Sequence, residues 1–424
     1  MKNTISKIFA ILLFTFPLVC NYDVFRFTPS LLYCVIGFLL LALYLLEGKK
    51  LSIDLRAMPY LVYIVISATI GIVHSKDNTV YTLFMKLALY VLTLIVFYLC
   101  YWQVMDQKFA MRLYTAITVI VTAIVIVQYV FAAMGRGFCL VVPGIPVAGV
   151  EDLMTDQIRS NQLVANRYSS FFFEPAHQAQ FVLPCLTLIL LGKPQASRKS
   201  LALAVFITIG LLCTTSMIGI LGAAIIWLFY VYVSLKSKKA RQWYFLLILL
   251  PLLAGGVLYY ISRDDLMRVL NDRLGSLNLF SQDRSEGFRR MKYGWFCYGE
   301  LDGVRKLLGV GYQNIGDYLS NSGIGYKLLG TNDPQYLSYT NGITKMLIGI
   351  GLVGTVMNLN LFFFDAVRSK DKCVYGLLLV WGIVMFTSNA FDDLGNINLL
   401  VLIMCKVYGE KKIKMKHTLS IAIR

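Results

Sequence analysis

Arg159, Arg167, Glu174 and His177 fall in one short stretch where a polar segment runs straight into an apolar one near Pro175. Ionisable groups that close to a hydrocarbon-length run are costly unless partnered, so by default they mark a site. A guanidinium fork suits bidentate binding of phosphate oxygens. A carboxylate or an imidazole suits removal of a proton from an attacking hydroxyl. Arg284, Arg289 and Arg290 offer the same fork chemistry further along the chain. Two such arginine sets could grip a diphosphate and meet the charge that grows on it as it leaves. Glu174 and His177 are then the pair available as base.

Each residue also has a structural reading. Arg159 and Arg167 can pair with Glu151, Asp152 or Asp156 and simply fold their loop. Arg284, Arg289 and Arg290 sit beside Asp283 and Glu286 and can be solvated. Glu174 precedes a proline suited to the first turn of a helix, where a carboxylate serves as a cap. His177 can be an interfacial histidine, and Phe171 to Phe173 a membrane anchor. The glycine-bearing turn Gly309-Val-Gly-Tyr-Gln-Asn314 could let backbone N–H groups approach a phosphate. Asp392-Asp393 brings too few ligands for a divalent ion, so no metal site is expected.

Membrane helices must position these groups. Apolar residues make up 58% of the chain and charged ones 15%, with mean hydropathy +0.66. A soluble domain has about 45–50% and about 25%, so the class is an all-α polytopic membrane protein. The apolar runs predict about twelve spans: 5–22, 29–46, 57–74, 80–101, 113–134, 174–192, 200–213, 217–234, 243–262, 341–364, 373–388 and 394–409. The run from 200 to 234 is too long for one helix, and Thr214-Thr215-Ser216 is its expected break. The stretch from Phe288 to Gly299 reads as a short helix anchored by Trp295 and Phe296. The first apolar run resembles a signal peptide in length and flanking charge, but the spans that follow favour an uncleaved helix.

The net charge of +17 is not a nucleic-acid footprint. Lys and Arg crowd short links such as Lys49, Lys50 and Arg56, Lys236 to Arg241, and Arg368 to Lys372, while the opposite links hold only Arg26 and Lys76. That bias predicts both termini in the cytoplasm and places two large loops, 135–173 and 263–340, on the external face of one integral membrane domain, 1–424. Loops that long usually carry function. Cys139 and Cys297, one in each loop, could pair if the loops met outside the cell. No repeat relates the two halves, which weakens a transporter or flippase reading, and its mid-membrane candidates, Lys86 and Lys345, can snorkel instead.

Three motifs in order carry a resemblance. They are Arg167-Tyr-Ser-Ser-Phe-Phe-Phe-Glu174-Pro175-Ala-His177; Arg289 or Arg290 with Trp295 and Gly309-Val-Gly311; and Asn341-Gly-Ile followed by Gly351-Leu-Val-Gly354. The series resembles the Wzy-type bacterial polysaccharide polymerases and, more distantly, the O-antigen ligases. In the ligases a histidine usually precedes that asparagine; Thr340 stands here, which favours a polymerase over a ligase.

The resemblance implies a GT-C-like helical fold in the bacterial cytoplasmic membrane and glycosyl transfer at its external face without metal or cofactor. Donor and acceptor would both be glycans on undecaprenyl diphosphate. A chain-length regulator and a flippase of the same pathway would be the protein partners.

Overall fold

The computed structural model describes residues 2–19, 29–74, 80–96, 101–140, 163, 167–172, 174–192, 197–235, 292–389, 391, 397–409 and 418–421. The chain forms two compact units. The first comprises Met1–Leu113, Arg289–Lys370 and Val384–Arg424; the second comprises Tyr114–Phe288 and Asp371–Ile383.

In chain order the described elements are α1 (Lys2–Val19), α2 (Pro29–Leu46), β1 (Leu51–Asp54), α3 (Ala57–His74), α4 (Val80–Thr93), α5 (Tyr101–Val104), α6 (Gln107–Ala133), α7 (Pro175–Leu191), α8 (Arg198–Cys213) and α9 (Met217–Leu235). They continue with α10 (Gly294–Glu300), α11 (Gly303–Leu308), α12 (Ile315–Asn321), α13 (Ile324–Leu329), α14 (Pro334–Leu337), α15 (Gly342–Arg368), α16 (Lys372–Thr387), α17 (Ile397–Met404) and β2 (Thr418–Ile421). The expected span 243–262 lies outside the described residues, as do residues 20–22, 97–100 and 394–396 of the spans 5–22, 80–101 and 394–409; the described part of every other expected span holds a helix. Among the described residues three helical segments, Gln107–Ala133, Met217–Ser234 and Gly342–Arg368, are long and apolar enough to cross a membrane, and shorter apolar helices accompany them. Phe38, Leu39, Val62, Ile66, Leu228 and Val356 face outward from these helices. An apolar exterior of this kind suits lipid, which is as apolar as the side chains themselves.

In the first unit α3 packs against α4 and α15. A buried polar chain joins them: Asn358 Nδ2 donates to the Tyr60 hydroxyl at 2.7 Å, and that hydroxyl lies 2.9 Å from the Tyr90 hydroxyl. Helix α15 breaks at Gly351, whose φ of 67° and ψ of −178° suit only glycine. Carbonyls on either side of the break have partners. Val310 N–H donates to Ile348 O at 2.8 Å and Gly311 N–H to Gly349 O at 3.0 Å. The Tyr63 hydroxyl shares its one proton between Ile350 O and Leu308 O, each at 2.9 Å, and Thr355 Oγ1 donates to Gly351 O at 2.7 Å. Backbone away from water must be satisfied in this way, so the interrupted helix depends on the 308–311 turn.

At the far end of α3, β1 pairs antiparallel with β2, Leu51 opposite Ile421. Arg56 spans this corner: its guanidinium binds both oxygens of Asp54 and also Asp365 on α15, to which the Tyr408 hydroxyl donates. The strand pair joins two segments that the sequence presents only as basic links.

In the second unit α7 packs against α8 and α9. Small residues allow the approach: a β-carbon on Gly222 of α9 would lie 2.5 Å from Leu183 Cδ1 of α7, and one on Gly210 of α8 would lie 2.3 Å from Thr122 Cγ2 of α6. The break between α8 and α9 falls at Thr214–Ser216, as the run length predicts. Thr214 Oγ1 donates to Leu211 O at 2.7 Å and accepts from Ser216 N–H at 3.2 Å, so one hydroxyl closes the turn.

Candidate active site

Helix α7 begins where Pro175 occupies the first turn and extended Glu174 (φ −134°, ψ 152°) takes the capping position. The Glu174 carboxylate makes no capping hydrogen bond. His177 stands three residues on, the spacing that brings a first-turn side chain back toward the cap. Both are half-buried.

The segment before α7 is held on α6 by one glutamine. Gln128 is fully buried; its Oε1 accepts from Ser170 N–H at 3.0 Å, and its Nε2 donates to Phe138 O at 3.3 Å. Ser169 Oγ and Phe172 N–H close the turn on each other's carbonyls, at 2.7 and 2.9 Å. Tyr168 is buried in a cluster with Val125 of α6 and Cys213 at the end of α8. Half-buried Arg167 directly precedes this anchor. Arg167, Glu174 and His177 are therefore carried at one end of the second unit by α6, α7 and the end of α8. Of the phenylalanine run expected as an anchor, Phe172 is buried, its ring centroid 5.4 Å from that of Phe181, and Phe173 lies outside the described residues.

Arg159, Arg284, Arg289 and Arg290 lie outside the described residues, as do Asp392 and Asp393. Within the first unit, the glycine turn departs from its expected role. Gly309 N–H donates to Arg305 O at 2.8 Å, and the next two N–H groups serve the break in α15. Its donors are spent on the fold rather than offered to a phosphate. Asn341 has a structural task as well: its Oδ1 caps α15 by accepting from Thr344 N–H at 2.9 Å. Thr340 beside it is buried. Residues 288–291 of the short helix expected at 288–299 lie outside the described residues; its remainder holds α10, with Trp295 and Phe296 exposed. Cys139 is half-buried and Cys297 buried, and neither is in a disulfide.

Sequence reasoning passed over Gln128, and the signal was available: a glutamine inside an apolar 27-residue helix is a polar group in need of a reason.

No curated protein sequence matches the chain. The family profile described as WcaD colanic acid polymerase matches residues 8–276. That match takes in Arg159, Arg167, Glu174 and His177 and ends before Arg284. Covering well over half of the sequence, it shows that the chain belongs to the WcaD colanic acid polymerase family, a Wzy-type group of membrane polysaccharide polymerases.

Proposed function

We propose that the protein joins undecaprenyl-diphosphate-linked oligosaccharide repeat units by en bloc glycosyl transfer at the external face of the bacterial cytoplasmic membrane. The observation that carries this reading is the gathering of Arg167, Glu174 and His177 at one end of the second unit, within the family-matched residues, with a carboxylate that no helix cap consumes. The architecture that goes with it is a single integral domain of about twelve spans, GT-C-like, with both termini cytoplasmic.

In this reaction a terminal sugar hydroxyl of one lipid-linked unit attacks the anomeric carbon of the glycan on another. The new C–O bond forms as the bond from that carbon to the carrier's phosphate oxygen breaks. The diphosphate leaves with the electron pair, and the acceptor proton passes to Glu174 or His177. Arg167 meets the charge that develops on the leaving group, with Arg159, Arg284, Arg289 and Arg290 as the other proposed phosphate ligands. The chemistry needs no metal, so chelator should leave it unchanged. Buried Thr340, in place of the ligase histidine, favours polymerisation over ligation.

The test is complementation of a deletion strain. A membrane-inserted Arg167→Ala variant should leave single repeat units on their lipid carrier. Full-length polymer from that variant would overturn the assignment.

A further inference from the structure

Two hydroxyl residues in the second unit sit where glycine would be more comfortable. Ser170 has φ +53° and Thr215 has φ +51°. For a β-branched threonine this is a real outlier, and such strain tends to persist where a side chain is needed. Both hydroxyl oxygens are buried and make no hydrogen bond, and the same holds for Oε1 of Gln178. Ser170 and Gln178 are each 1% exposed. An orphaned buried polar atom weakens a fold, so these three require a reason; Thr118 and Thr122 of α6 carry two more in the same unit.

Their surroundings are tied to one stretch of α6, from Val121 to Gln128. Ser170 hangs from Gln128 of α6 through its N–H. Gln178 Nε2 donates to Val121 O, two turns earlier on the same helix, at 3.4 Å. Cys213, two residues before Thr215, packs on Val125, which lies between those two positions on α6. A β-carbon on Gly219, four residues after Thr215, would touch the side chain of Ala179, next to Gln178, at 3.4 Å. Gln178 also gives its own N–H to the carbonyl of Glu174 at 3.2 Å. The orphaned atoms therefore flank the Arg167, Glu174 and His177 end of the unit.

We infer that Ser170, Gln178 and Thr215 form a sugar-binding subsite that takes hydroxyls of the glycan beside the transfer centre. The three atoms are neutral and mix donor with acceptor capacity: two hydroxyls that can give or accept, and one amide oxygen that only accepts. A phosphate would call for cations or N–H donors, whereas a sugar ring presents several O–H groups able to donate to Gln178 and to exchange bonds with Ser170 and Thr215. The inference rests on the polymerase reading above.

The experiment uses the full-length protein in detergent, with lipid-linked glycan extracted from the polymerase-deletion strain as substrate. Ser170→Gly, Thr215→Gly and Gln178→Leu each remove an orphan, and the two glycine variants also relieve strain. Each should keep or raise the melting temperature of the substrate-free protein while raising KM for the glycan at least tenfold, with kcat changed far less. A lowered melting temperature with unchanged KM in all three would show that these groups serve the fold through ordered water, and would overturn the inference. If wild-type protein fails to elongate the extract, the polymerase reading itself is what fails; if it elongates and Gln178→Leu matches it at every glycan concentration, only the subsite is lost.

Discussion

Gly309 and Gly351 meet backbone to backbone. A β-carbon on Gly309 would lie 2.6 Å from the Gly351 nitrogen, and one on Gly351 would lie 2.4 Å from the Gly309 nitrogen. This contact lets a turn far from α15 in sequence lie close enough to satisfy the carbonyls that the break in α15 exposes. The Gly-x-Gly motif, which by sequence offers itself to a phosphate, is consumed by that task.

Gly351→Ala should therefore cost stability rather than chemistry alone. The alanine meets backbone atoms and adopts a φ of 67° with extended ψ, a strain of about 1–3 kcal/mol before any clash is counted. The expected outcome is a lower melting temperature in detergent and reduced membrane yield. Gly354→Ala, which would press on the ring of Tyr63 and on Ile350, should be milder because side chains can shift.

Glu174→Gln keeps the shape of the capping residue and removes its basicity. With no capping bond to lose, the variant should fold normally and show turnover reduced by about 10²–10⁴-fold if this carboxylate is the base. His177→Gln is the matched control on the same turn. Whichever variant loses the repeat-unit ladder while inserting normally carries the proton.

Gln128→Leu should unsettle the segment that presents Arg167. It leaves the Ser170 N–H and the Phe138 carbonyl without their partner, at about 1–3 kcal/mol for each buried group. Shorter polymer at normal protein level, together with faster proteolysis between α6 and α7, would be the signature.

Arg56→Met should destabilise the corner where β1, α3 and α15 meet. It takes the guanidinium from Asp54, which is 5% exposed and keeps the backbone N–H of residue 56 at 2.9 Å, and removes one partner of Asp365. Breaking a fully buried pair from one side costs about 3–5 kcal/mol, and this cluster, with Arg56 and Asp365 partly exposed, should lose less. Adding Asp54→Asn to Arg56→Met should recover part of the melting temperature, because the uncompensated charge is then gone.

Cys297 should resist thiol reagents. Burial is the main cause that pushes its thiol up to about 12, so the thiolate is scarce throughout the neutral range and becomes common only as pH approaches that value. Half-buried Cys139 should label before Cys297 with maleimide at pH 8. Rapid labelling of Cys297 in folded protein would contradict the packing around Tyr293.

The sequence alone was enough for the helices, because each apolar run has the length and hydropathy of a membrane segment and needs no partner to be recognised. The Thr214–Ser216 break was legible for the same reason, since one run exceeded the length of one span. The stretch from Arg167 to His177 could be picked out as well, because ionisable groups beside hydrocarbon stand apart in any sequence. What those residues touch was another matter. That Glu174 caps nothing, that Gln128 holds Ser170, and that the Gly309–Gly311 donors go to α15 all depend on hydrogen bonds between residues far apart in the chain. Residue type sets what a group can bond to, but only the folded backbone decides which partner is within 3 Å, and a donor already satisfied there is no longer available for a ligand.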